Sequence, residues 1–154
     1  MQTGDAAELL AALTGQNAFV RRLPDGVTYR FHHMMKECAL RVFLTLPQER
    51  RNDCRRRFGA WYEQHRQYLH AMQAYYQSGD YHALLRVVQQ DAGILLSSLD
   101  PKNVLDFLDE CPEDTLKAHP AALLVLMRSM FNWRNIPRML TLRQLLLTAI
   151  DEDK

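Results

Sequence analysis

Three side chains able to donate hydrogen bonds to an anion, or to carry a proton, stand together in the run Val27-Thr-Tyr-Arg-Phe-His-His-Met-Met-Lys-Glu-Cys-Ala-Leu-Arg-Val-Phe-Leu44. They are Arg30, His32 and His33. A guanidinium stays charged, whereas an imidazole donates whether neutral or charged and changes charge near physiological pH. The ordinary structural alternative is that one histidine caps a helix and the other packs under a hairpin.

The elements that must position these groups follow from periodicity. Tyr29 and Phe31 share one side of an alternating stretch and Thr28 and Arg30 the other, the pattern of a half-buried edge strand. After His32 the period changes, and Met35, Leu40, Val42 and Phe43 recur at helical spacing, predicting a helix from about His32 to Leu44. Phe19-Val-Arg-Arg-Leu23 reads as a partner strand, with Pro24-Asp25-Gly26 as the turn: proline presets φ and glycine takes a positive one. A short helix over Asp5 to Leu13, stopping near Gly15, precedes the hairpin. Helix, hairpin, helix is the closing half of a winged-helix module.

Composition narrows the remaining classes. The 154 residues are 47% hydrophobic and 24% charged, ordinary for a soluble domain, and 19 basic against 18 acidic residues leave a net charge of +1. No global field draws such a chain to nucleic acid or membrane, so a partner of that kind needs a local patch. Cys38, Cys54 and Cys111 are odd in number and widely spaced, unlike a disulfide framework or a metal-binding pair. No leader segment and no long apolar run is present, and a reducing cytoplasm is the expected compartment, with no membrane partner.

Other candidate clusters have plain readings. Arg50, Arg51, Arg55, Arg56 and Arg57 suggest phosphate binding, but Glu49 and Asp53 interleave, and a solvated face or a contact to an acidic neighbour fits better. Asp109, Glu110, Glu113 and Asp114 flank Pro112 as helix-end and first-turn residues. His65 and His70 are five apart, off the spacing that aims two imidazoles at one metal. No serine or cysteine stands in a nucleophile motif, so no catalytic residue and no metal ligand is expected, and the chain is read as not an enzyme.

From Pro47 onward the pattern is helical. Pro47 opens a helix in which Cys54, Phe58, Trp61 and Tyr62 form the expected core stripe. Tyr68, Leu69, Met72, Tyr75 and Tyr76 lead to a stop at Gly79, and Asp80 caps a helix carrying Tyr81, Leu84, Leu85 and Val88. Of the tyrosines, Tyr68, Tyr75, Tyr76 and Tyr81 read as core packing before they read as a ligand groove. Beyond a middle piece at Ile94 to Leu99, Asp100-Pro101 opens a helix with Val104, Leu105, Phe107 and Leu108. Cys111-Pro112 and His119-Pro120 punctuate. The helix from Ala121 to Trp133 is apolar on nearly every side and is expected to be central; the last, from about Pro137 to Ile150, keeps Arg138, Arg143 and Gln144 for water. No strand signal follows residue 31.

The expected fold is therefore mainly α: antiparallel helical hairpins in a tetratricopeptide-like (TPR-like) α-solenoid over residues 47–154, after a winged-helix remnant with one β-hairpin over residues 1–46. Gly79-Asp80-Tyr81 suits such a repeat, although no strict period survives into the second half. Leu145, Leu146 and Leu147 leave the last helix without the polar outer face of a capping repeat, which suggests a chain cut from something longer.

Tyr29-Arg-Phe-His-His-Met-Met-Lys-Glu37 resembles the Tyr-Arg-Phe/Tyr-His-His-Leu signature of the MalT-like, large ATP-binding LuxR-type transcriptional regulators. Trp61-Tyr-Glu-Gln64, Gly79-Asp-Tyr81, Asp109-Glu-Cys-Pro-Glu113 and His119-Pro-Ala-Ala-Leu-Leu124 are similar to later landmarks there, in the same order. The resemblance implies a parent with a nucleotide-binding domain, a winged helix, a helical-repeat sensor and a DNA-binding helix-turn-helix, of which this chain would hold the end of the second and the start of the third. It also implies that His32, in a setting like the Met-His-Asp motif of related signalling ATPases, contacts the β-phosphate of ADP in the intact protein. His33 occupies that motif's aspartate position, and Arg30 lies beside it.

No Gly-x-x-x-x-Gly-Lys-Ser/Thr loop occurs, so the chain carries no cofactor of its own and ATP or ADP belongs to the parent. The partners implied are the parent's nucleotide-binding and DNA-binding domains, a small-molecule or protein effector, and a second copy in a homo-oligomer. Direct nucleic-acid binding by this segment is not expected. The favoured function is a signal-transducing segment that couples nucleotide state to effector sensing and self-association. The alternatives are a free-standing helical-repeat adaptor for a protein partner and, more weakly, a small winged-helix DNA-binding protein.

Overall fold

Hydrogen bonds of a single aspartate organise the first element pair. In a computed structural model that describes Glu8, Ala11, Ala12, Gly15 and residues 20–152, β1 (Val20–Arg22) pairs antiparallel with β2 (Tyr29–Phe31) in the register Val20↔Phe31, Arg21↔Arg30, Arg22↔Tyr29. The Asp25 Oδ1 atom accepts from the Val27 and Thr28 amides at 3.1 and 2.9 Å, and its Oδ2 accepts from the Thr28 hydroxyl. These bonds, the Thr28 hydroxyl first, hold the Asp25 carboxyl below its ordinary pKa. Gly26 turns with φ of 72°, as the Pro-Asp-Gly sequence requires, and the Arg22 guanidinium closes onto its carbonyl at 2.7 Å. The strands are shorter than the expected Phe19 to Leu23, and Phe31 is exposed, so the alternation does not become a buried face. Of the helix expected over Asp5 to Leu13, Glu8, Ala11 and Ala12 are helical and the other positions lie outside the described residues; Gly15, expected as the stop, is still helical.

The chain divides into two compact units, Met1–Gln48 and Glu49–Lys154. The first ends in α1 (His33–Thr45), a helix with no fully buried residue: Met35 and Phe43 are half-covered, whereas Leu40 and Val42 are exposed.

Among its described residues the second unit has helices and no strand. It comprises α2 (Gln48–Gln64), α3 (Tyr68–Ser78), α4 (Tyr81–Gln90), a 3-10 turn (Leu95–Ser98), α5 (Pro101–Glu110), α6 (Glu113–Lys117), α7 (Pro120–Asn132) and α8 (Ile136–Glu152). With the hairpin, this makes the protein mainly α with a small winged-helix remnant. Local signals place the boundaries. Asp80 accepts from the Ala83 amide at 3.0 Å and Asp100 from the Lys102 amide at 3.0 Å, the N-caps expected of both, and α3 ends on Gly79. Asp91, itself buried, caps the 3-10 turn through the Leu95 amide at 2.8 Å. Pro47 lies one residue before its helix rather than in it.

The core gathers Met72, Tyr75, Leu84, Leu85, Val87 and Val88 from the first helix pair with Val104, Phe107, Leu123, Leu126, Met130 and Leu142 from the later ones. The most extensive contact is between α7 and α8, followed by α3 with α4, so consecutive helices pair as short links require. Helix α7 also meets α4 and α6, yet it is not apolar-buried all round: Leu124 and Phe131 stand exposed on its outer side. Arg138 is not left to water either. Its guanidinium is largely covered and bonds the Asp109 carboxylate.

The stripe expected to bury α2 is corrected most sharply. Phe58 and Trp61 are 60% and 48% exposed, and the residue that is buried is Gly59. The reason is steric. The Tyr75 ring lies against the helix backbone at Gly59, so close that a Cβ there would sit 2.7 Å from Cε1 and 2.8 Å from Cδ1. The Tyr75 hydroxyl donates to Glu63 one turn further along at 2.8 Å, which pins the ring in place. A face carrying Gly59 and Glu63 therefore meets α3, and the bulkier aromatic pair turns away. Gly59→Ala is expected to lower stability by about 1–2 kcal/mol in urea denaturation, since overpacking costs about 1–3 kcal/mol and outweighs the roughly 0.5–1 kcal/mol that alanine gains within a helix. A variant more stable than the parent would show that Tyr75 is free to move aside.

Candidate functional site

The strand-to-helix junction places the three candidate donors in a row. Arg30 lies in β2, His32 is the N-cap of α1 with extended backbone, and His33 is the first helical residue. The His32 Nδ1 atom accepts from the Met34 amide at 3.4 Å, a long bond that makes it a weak cap. His33 reaches Glu37 one turn along, Nε2 to Oε1 3.4 Å, both groups exposed. The structure thus gives His32 the capping role that was the ordinary alternative, but His33 is on the surface and not beneath the hairpin. Register brings a second arginine alongside: Arg21 stands directly opposite Arg30. Like charges opposed across a strand pair repel, so this hairpin face favours an anion between or beside them.

Residues 1–52 match the family model described as the MalT winged helix domain. The first third of this chain is similar to that winged-helix domain. The match covers both strands, α1 and the whole Arg30–His33 junction. No curated protein and no solved structure matches the chain. Among the described residues, no helix is long and apolar enough to cross a membrane.

In the helical unit a polar hub links three helices. Glu63 of α2 accepts from the Tyr75 hydroxyl of α3, and from Arg86 of α4 through two nitrogens, Nε to Oε1 3.0 Å and Nη2 to Oε2 2.9 Å. The Gln90 Nε2 atom donates a further hydrogen bond to Oε1 at 3.1 Å. The Arg86 bonds are the main reason that the Glu63 carboxyl lies below its ordinary pKa, against the opposing effect of burial. Burial, reinforced by Glu63, pushes the Tyr75 hydroxyl up to about 12. Sequence reading misses this hub because its members are 12, 23 and 27 residues apart, and no local spacing connects them.

The remaining groups resolve individually. His65 stacks on Trp61 at 3.9 Å between centroids and His70 on Tyr62 at 5.2 Å, so the two imidazoles belong to separate aromatic contacts. Tyr76 and Tyr81 both donate to Glu110, at 3.1 and 3.4 Å, and burial raises both hydroxyls. All four tyrosines pack on the core, Tyr75 within it. Of the arginine run, Arg55 donates to the Gln77 carbonyl at 3.1 Å, Arg56 to the Asn52 carbonyl at 3.4 Å, and Arg57 pairs with Asp53 at 3.1 Å, so the protein itself engages much of the run. His82 and His119, 37 residues apart, meet with Nδ1 to Nε2 at 3.2 Å, a pair that no sequence spacing announces. Desolvation, then His82 and Arg86, holds His119 below the usual histidine range. Cys111, buried, has its thiol pushed up to about 11 by burial and is a poor nucleophile.

Because the folded-state pKa of Glu63 is depressed, its contribution to stability is present above the unfolded carboxyl pKa near 4.3 and disappears as pH falls through the lower folded value. Glu63→Ala is therefore expected to cost about 1–3 kcal/mol at pH 7, discounted for the half-exposed Arg86, with the difference shrinking below about pH 4. Chemical denaturation of both proteins across pH 2–8 checks it, and a penalty independent of pH would deny the charged hub.

Proposed function

We propose that this chain is a signal-transducing segment of an ATP-dependent LuxR-type transcriptional regulator. The winged-helix portion transmits nucleotide state, and the TPR-like helical repeats take part in effector sensing and self-association. The observation that carries the reading is the MalT winged-helix match over residues 1–52, which contains the Arg30-Phe-His-His33 junction.

Two physical features support it. Arg21 and Arg30 are opposed on one hairpin face, and the period of two places His32 on the side of Arg30, so cationic or donor groups gather where a nucleotide phosphate from an adjacent domain would be met. Helix α1 leaves Met34, Leu40, Val42 and Leu44 exposed, apolar surface of the kind that marks contact with another domain or protein. On this reading the segment performs no catalysis, holds no metal, and contacts no DNA itself. Its partners are the nucleotide-binding and DNA-binding domains of the parent, in the cytoplasm, together with an effector and a second copy.

An immunoblot of source-cell lysate with antibody against this chain tests the proposal. A band several times heavier than 18.0 kDa is expected, and a band at 18.0 kDa would sink it. In the heavier protein, His32→Ala is expected to weaken ADP binding about ten-fold or more, the loss of a charge-assisted hydrogen bond, while His33→Ala changes it little. Equal effects at the two positions would remove His32 from the phosphate.

A further inference from the structure

We propose that the helical unit holds a binding site for a neutral, mainly apolar small molecule in the pocket between the α3–α4 pair and the 3-10 turn with α5. The pocket has a volume of about 240 Å³. Met72, Leu84, Val88, Leu96, Val104 and Phe107 form its floor, and each of these residues is otherwise buried, none more than 5% exposed. Protein interiors close over voids of this size, and apolar cavities of about 150 Å³ already admit benzene. A volume of 240 Å³ takes a single ring with a short alkyl chain, or a chain of similar bulk.

Charge restricts the occupant further. No Lys, Arg, His, Asp or Glu lines the pocket, so an ionic ligand would bury its charge without a partner. The polar lining comes from the rim, where Gln73 and Asn103 offer carboxamides, each a donor and an acceptor. Tyr76 adds its ring, since its hydroxyl is engaged by Glu110. The fitting molecule therefore has one uncharged polar group, such as a hydroxyl or carbonyl, at the mouth and hydrocarbon on the floor. Because the walls belong to successive helix groups, an occupant fixes the spacing between them, which is how binding would change the shape of a helical stack. As an effector site this rests on the sensing role proposed above; as a binding site it stands on the pocket alone.

The test uses the 154-residue chain and three probes of one shape: 4-propylphenol, propylbenzene and 4-propylbenzoate. Calorimetry is expected to show the phenol binding one-to-one with a submillimolar Kd and the benzoate at least about ten-fold more weakly, because its charge is unpaired in the pocket. Val104→Trp fills the floor and should abolish phenol binding while the circular dichroism stays helical. Should that variant fail to fold, Asn103→Leu at the exposed mouth decides: the preference for phenol over propylbenzene should fall about five-fold or more. Absence of phenol binding, equal binding of the benzoate, or an unchanged preference in Asn103→Leu would each overturn the site. Phenol binding together with a natural band of 18.0 kDa would keep the pocket and remove the regulator, and a heavy band without binding would do the reverse.

Discussion

The helical unit depends on one contact in which a missing side chain matters more than those present. At Gly59 the backbone of α2 is bare enough for the Tyr75 ring to lie directly on it, and Glu63, one turn on, takes the ring's hydroxyl and the Arg86 guanidinium together. The contact therefore joins α2, α3 and α4 by shape at one end and by charge-assisted hydrogen bonds at the other. Neither part suffices by itself. A ring against a bare backbone could slide, and a half-exposed ion pair is worth little unless its geometry is fixed. Together they hold α2 in register, with its aromatic pair Phe58 and Trp61 turned outward.

The same division of labour recurs in the winged-helix segment. Its hairpin is too short to be held by a core, with Val20 the buried hydrophobic residue of the strands. Asp25 and Arg22 instead tie the turn to itself through side-chain bonds to backbone groups. A two-stranded ribbon of this kind is marginal without further packing. Val27, Phe31 and Met34 stand exposed beside it, apolar surface of the kind that marks a contact with another domain or protein.

What was legible in the sequence was what neighbours in the chain decide. Pro24-Asp-Gly26, Asp80, Asp100 and Gly79 each act within four residues of themselves, and each stands where expected. The change from strand to helix between Arg30 and His33 stands where expected for the same reason, within the residues 1–52 that match the winged-helix model. What failed was the choice of face. Apolar spacing in α2 nominated Phe58 and Trp61 for the core, because periodicity scores large residues and gives a glycine no weight. Arg138 failed similarly: a charged residue on the last helix reads as solvent-facing until Asp109, 29 residues earlier, comes beside it. The hub at Glu63 and the His82–His119 pair were invisible because they join distant positions.

Those distant pairs also indicate where a change of state would be felt. Glu63, Tyr75, Arg86, Tyr76, Tyr81 and Glu110 form two carboxylate-centred clusters, one joining α2 with α3 and α4, the other joining both helices of that pair with α5. Tyr75 and Tyr76 are adjacent in α3, so one helix serves both clusters, and its Met72 and Tyr76 also line the apolar pocket. A displacement of α3 by a ligand must therefore strain hydrogen bonds at both carboxylates at once. Packed interfaces of this sort have few alternative arrangements and do not deform smoothly. That makes α3 the element through which occupancy of the pocket would be conveyed to α2, by way of the Tyr75–Glu63 bond.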